Sequence, residues 1–86
     1  MSKVQLEIVT PERIVYSEQV DMVIVRAANG DVGILPRHIP FVSPIIGETV
    51  RVKKNESEER IKVNDGFIEV RPDKITILAE SAVLSD

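Results

Sequence analysis

Asp65-Gly66-Phe67-Ile68-Glu69-Val70-Arg71-Pro72-Asp73-Lys74-Ile75-Thr76-Ile77-Leu78-Ala79-Glu80 is the stretch on which the fold turns. Asp65-Gly66 supplies turn chemistry, Phe67 to Arg71 runs out as a strand, Pro72-Asp73 turns, and Ile75 to Glu80 comes back. The same grammar holds upstream. Val50 and Val52 alternate with Arg51 and Lys53, Lys54 to Glu59 forms a long charged hairpin tip, and Ile61 and Val63 alternate with Lys62. Composition agrees: the chain has 24 valines and isoleucines against 4 leucines. Branching at Cβ stiffens these side chains and suits them to a pleated sheet.

The N-terminal half reads the same way. Val4, Leu6 and Ile8 alternate with Lys3, Gln5 and Glu7 as in a half-buried strand. Thr10-Pro11-Glu12-Arg13 breaks it, Ile14 to Tyr16 is a short second strand, and Ser17-Glu18-Gln19 is a polar turn. Val20 to Ala27 is apolar on both parities, which predicts a central strand covered on both faces. Asn29-Gly30 supplies a tight hairpin turn, and Asp31 to Leu35 returns with Gly33 marking a bulge or a close approach. Pro36, Pro40 and Pro44 keep the next segment extended. Ser85-Asp86 reads as a helix N-cap with no helix after it. Short strands at this spacing predict one all-β domain over 1–86, a small antiparallel β-sandwich or flattened barrel of about ten strands.

The 86 residues suffice for one domain, and a chain of this size buries only about 60% of its unfolded surface. The lack of cysteine removes disulfides, thiolate metal sites and cysteine nucleophiles. A formal charge of −3 and only three aromatics, Tyr16, Phe41 and Phe67, argue against a nucleic-acid binder. With no signal-peptide core or membrane-spanning run, the chain reads as cytoplasmic.

One segment combines turn chemistry, a strand and a stiff polar loop: Asn29-Gly30-Asp31-Val32-Gly33-Ile34-Leu35-Pro36-Arg37-His38-Ile39-Pro40. His38 is the only histidine, and acid–base work would require Asp31 or Asp65 to orient it. A zinc site would need further nitrogen or sulfur ligands that the chain lacks. Gly30 and Gly33 flank a hairpin rather than joining strand to helix, so they make no phosphate loop. The serines have no nucleophile-elbow context. Elimination leaves a binding or structural domain, with Asp31 serving either turn chemistry or an anionic contact to a basic partner. A small hydrolase using His38 and an autonomous ligand-binding β-barrel are the competing readings.

Taken in order, Val9-Thr10-Pro11, Gly30 to Pro40 and Asp65 to Glu80 resemble the epsilon subunits of bacterial and chloroplast F-type ATP synthases, equivalent to the mitochondrial delta subunit. The resemblance implies an N-terminal β-sandwich whose usual C-terminal helical hairpin is absent from this sequence. It implies a non-catalytic central-stalk (rotor) subunit that links the gamma subunit to the membrane c ring and couples rotation to ATP synthesis. It also implies peripheral attachment at the cytoplasmic face of a bacterial plasma membrane, no cofactor and, without the hairpin, no ATP binding. Asp31, with Asn29 and Gly30, matches the acidic tip toward the c ring. His38, flanked by Arg37, Ile39 and Pro40, matches the segment facing gamma. Two positions depart from the family: Arg37 stands where glycine is usual, and Asp65-Gly66 where a Gly-Gly pair is frequent.

Overall fold

The computed structural model describes residues 3–27 and 30–85, and ten strands lie among them. They are β1 (Val4–Val9), β2 (Ile14–Val20), β3 (Met22–Ala27), β4 (Gly30–Ile34), β5 (Phe41–Pro44), β6 (Thr49–Lys54), β7 (Ser57–Asn64), β8 (Phe67–Val70), β9 (Lys74–Leu78) and β10 (Ser81–Ser85). Two five-stranded sheets pack face to face. Sheet I has the order β2-β1-β9-β8-β5, and sheet II the order β10-β7-β6-β3-β4. The all-β sandwich expected from the Val/Ile alternation is therefore the observed fold.

Alternation decides which side chains fill the space between the sheets. Leu6, Ile8, Ile68, Ile75 and Ile77 of sheet I meet Val23, Val25, Val50, Val52 and Ile61 of sheet II, all essentially solvent-free. Full burial of each such aliphatic side chain is worth about 1.5–3 kcal/mol. One pairing departs from the antiparallel expectation: β1 and β9 run parallel, from Gln5 opposite Lys74 to Val9 opposite Leu78.

Several local expectations are corrected. Ser17, Glu18 and Gln19 are not a turn but continue β2, paired with Glu7, Leu6 and Gln5. They are polar because β2 is an edge strand: Gln5 donates to the Ser17 hydroxyl and Gln19 donates to Gln5. Val20 to Ala27 is not one doubly covered strand. A bend at Asp21 divides it, and in β3 Val23, Val25 and Ala27 face inward while Met22, Ile24 and Arg26 face out. Gly33 keeps regular register, so it marks a close approach: the Met22 side chain occupies the space that a Cβ would need. The charged tip shrinks to Asn55-Glu56, with Asn55 in the left-handed region at φ 58°, because Lys54 and Ser57 already pair. Leu84 and Ser85 belong to β10, opposite Ile61 and Arg60; Asp86, the other residue of the cap reading, lies outside the described residues.

The two sides of the sandwich differ. On the β2 side, polar latches join the sheets: Glu18 pairs with Lys54, and the Tyr16 hydroxyl donates to Glu59 Oε1 at 2.8 Å. Burial, then the Glu59 hydrogen bond and charge, push the Tyr16 phenol above its ordinary range. The folded state thus keeps this proton to higher pH than the unfolded chain. Its contribution to stability is complete below about pH 10 and is lost as pH rises beyond that. Tyr16 is the only tyrosine and there is no tryptophan, so absorbance at the tyrosinate band reports this group alone. We expect that signal to stay flat in the native protein where a free phenol ionises, and to rise together with loss of the β-sheet circular dichroism. A rise while the sheet signal persists would contradict this account.

Candidate functional site

On the opposite side, β4 of sheet II and β5 of sheet I are both edge strands. The stretch singled out in the sequence forms this edge, and β4 separates its two ends by about 14 Å at strand rise. At one end, Gly30 has φ 115° and Asp31 follows it, directly opposite Arg26 in the β3–β4 ladder. Asn29 lies outside the described residues. Arg26 Nε donates to Asp31 Oδ1 at 3.0 Å, with both side chains largely exposed. Such a wet pair contributes at most about 1 kcal/mol, so Asp31 can exchange Arg26 for an incoming cation at little cost.

Leu35 to His38 forms a tight turn at the other end, closed by the His38 amide donating to the Leu35 carbonyl at 3.2 Å. Pro36 occupies its second position and Arg37 its third, with φ 66°. A turn with proline second and positive φ third is type II, which favours glycine at that third position. Glycine would occupy that position without strain, so Arg37 carries the cost of the positive φ. The Arg37 amide donates to the Pro72 carbonyl at 2.9 Å, which fastens the loop to the β8–β9 turn through backbone alone. Arg37→Gly is therefore expected to raise stability by about 1 kcal/mol and Arg37→Val to lower it, as read by thermal unfolding. Equal midpoints for both variants would show that the turn carries no strain.

His38 is turned toward the apolar part of the edge. Its ring lies 5.4 Å from the Phe41 ring at a 59° tilt, and Nδ1 is 2.8 Å from the Ile39 carbonyl oxygen. A carbonyl only accepts, so Nδ1 carries a proton. Asp31, one proposed orienter, is engaged by Arg26, and Asp65, the other, sits in the β7–β8 turn with φ 53°. The acid–base constellation is thus not assembled around His38. Ile39 is 79% exposed, and Pro40 is exposed beside it. Between the two edge strands runs a groove of about 530 Å³ lined by Ala27, Val32, His38, Phe41, Val42 and Pro44, among others.

A second feature is absent from the sequence reading. Register places Ile14, Val9, Leu78, Phe67 and Pro44 side by side across the outer face of sheet I. Ile14, Leu78 and Phe67 are each exposed by 41% or more. This apolar row lies at the Asp31 end of the molecule, since Ile45 and Ile46, which follow Pro44, donate their amides to Gly66 and Arg26. The signal was present as apolar residues at outward positions of otherwise alternating strands, but only the strand order brings them together.

Comparison with known proteins accounts for this architecture. Residues 3–85 match the family model for the ATP synthase delta/epsilon chain β-sandwich domain. The chain is 54% identical to the ATP synthase epsilon chain of Alkalihalophilus pseudofirmus over 98% of its own length and 63% of that protein's. It is 51% identical to the ATP synthase epsilon chain of Bacillus subtilis, covering 95% of this chain and 62% of that one. It therefore spans somewhat less than two-thirds of these relatives. A chain of the Euglena gracilis mitochondrial ATP synthase (OSCP, F1 and c-ring) superposes with a TM-score of 0.89 at 18% identity, covering 98% of this chain and 54% of that one. A chain from the central stalk and c-ring of the Tetrahymena thermophila mitochondrial ATP synthase gives a TM-score of 0.75 at 12% identity, over 94% and 66%. At those identities the superpositions establish a shared fold. With the family model covering nearly every residue, the chain belongs to the β-sandwich family of ATP synthase delta and epsilon chains.

Proposed function

We propose that this chain is a non-catalytic central-stalk component of a proton-translocating F-type ATP synthase, bridging gamma and the c ring so that rotation is coupled to ATP synthesis. The observation that carries the reading is the β4–β5 edge. It presents a carboxylate at one end, a proline-bounded loop at the other and an apolar groove between them. Gly30 and Asp31 form the end toward the c ring, and Asn29, which precedes them in the sequence, is assigned to the same contact; Arg37, His38, Ile39 and Pro40 form the end toward gamma. An edge with two separated polar ends suits a bridge between two bodies better than a pocket for one small molecule. Attachment to the cytoplasmic face of a bacterial plasma membrane follows through the complex. The chain itself binds neither ATP nor any other cofactor in this reading, and the absence of a thermal shift with ATP is its corollary.

The test is co-purification with gamma and c-ring preparations. Wild-type chain is expected to recover both. Asp31→Lys is expected to lose c-ring recovery about tenfold while retaining gamma, because a repulsive contact replaces an attractive one at an exposed site, where each is worth only about 1 kcal/mol. Equal recovery of the c ring by both proteins would remove Asp31 from the contact. Recovery of neither subunit by wild type would overturn the stalk reading.

A further inference from the structure

The outer face of sheet II carries a charge pattern that neither the fold nor the β4–β5 edge requires. Its outward positions hold five cations, Arg26, Arg51, Lys53, Arg60 and Lys62, against two carboxylates, Asp31 and Glu58. The chain as a whole is acidic, with a formal charge of −3, so positive charge is concentrated on this one face. The register sharpens the point. Arg51 lies directly opposite Arg60 across the β6–β7 ladder, an arrangement that disfavours the sheet. A single carboxylate serves both: Glu58 accepts from Arg51 Nε at 2.9 Å and Nη2 at 3.0 Å, and from Arg60 Nε at 3.4 Å. Lys53 and Lys62 make no ion pair among the described residues. A face selected for solubility alone intersperses its signs.

The centre of the face is apolar and low. Met22 lies over Gly33, Ile24 pairs with Gly33 on one side and Arg51 on the other, and both Met22 and Ile24 are half-buried. Beside Ile24 is a hollow of about 270 Å³ with Arg26 and Arg51 at its margins and Asp31 and Glu48 also on its wall. An apolar centre rimmed by guanidinium groups is the composition of a protein–protein interface, and guanidinium pairs carboxylates in a planar, two-bonded geometry.

We infer that the outer face of sheet II is a docking surface, separate from the β4–β5 groove, for a protein surface whose carboxylates surround a small apolar knob. A protein partner fits better than an anionic membrane. Asp31 and Glu58 stand among the cations and would face a uniformly negative lipid surface.

The probe is a short synthetic peptide with glutamates flanking a pair of leucines, titrated into the isotopically labelled chain while backbone amide NMR signals are followed. Shifts are expected on β3, β6 and β7, centred on Met22, Ile24, Arg51 and Lys53, and to vanish at high salt. A Lys53→Gln/Lys62→Gln variant, which places no like charge opposite Glu58, should bind about tenfold more weakly. Both side chains are exposed and make no ion pair, so its spectrum should otherwise match wild type. Arg71→Gln, on the other sheet, should bind normally. A peptide with glutamine in place of glutamate binding equally well, or shifts spread over both sheets, would overturn the proposal. So would vesicles of phosphatidylglycerol acting on this face while the acidic peptide does not, which would assign the surface to lipid instead.

Discussion

Ile77→Ala is expected to lower the unfolding free energy by about 2–5 kcal/mol, from the lost transfer energy plus the cavity left behind. Ile77 is solvent-free in β9, which lies at the middle of sheet I with β1 on one side and β8 on the other. Neighbouring strands hold the backbone in place there, so collapse around the deleted atoms is limited. Domains of this kind are stable by only about 5–15 kcal/mol, so the loss is a large share of the total. The thermal midpoint should drop by at least about 8 °C, given roughly 4–8 °C per kcal/mol at this size. Thr76→Ala, the adjacent outward position opposite Glu7 and Glu69, should stay within about 0.5 kcal/mol. Comparable losses at both positions would mean that the core is not organised by the alternation described above.

Gly66→Val should cost about 1–3 kcal/mol by overpacking. Gly66 is buried after the Asp65 turn, and a Cβ there would lie 3.1 Å from Ile45 Cδ1 and 3.4 Å from Val63 Cγ2. Valine adds two methyl groups where even one carbon is tight. The Gly66 carbonyl also accepts the Ile45 amide at 2.9 Å, and that bond anchors the chain just past β5. Displacing Ile45 should therefore loosen β5 together with the groove it borders. Hydrogen exchange of the β5 amides should accelerate more than that of β1 amides. Uniform acceleration would place the damage in the whole fold rather than at this corner.

Much of the core was legible in the sequence because inward positions alternate cleanly: Leu6 and Ile8, Val50 and Val52, Ile61 and Val63. The errors fall where local pattern and tertiary placement separate. Ser17 to Gln19 resembles a turn because an edge strand can be polar on the side that meets water. Met22 and Ile24 look interior, yet they point outward, since Gly33 lets a methionine lie flat on the sheet. Val83 and Leu84 are exposed on β10, another edge, so no alternation marked that strand. In the candidate site, the special character of residues 29–40 was visible in Asn-Gly and the prolines. The positive φ of Arg37 was not, because Pro36 signals a tight turn without specifying what stands third. The apolar row on sheet I was invisible for a different reason: its members come from five strands, and only their pairing makes them neighbours.

The parallel pairing of β1 with β9 has a consequence for the order of events during synthesis. Val4 to Val9 leave the ribosome before β2 to β8, but their partners Ile75 to Leu78 emerge only after all of those strands. The β1–β2 hairpin can close at once, whereas sheet I remains two separate pieces until that long loop is closed. Contacts of such high sequence separation slow folding. Until β9 arrives, the nascent chain carries β1 with an unpaired hydrogen-bonding edge, which makes this interval its point of greatest exposure to misassembly.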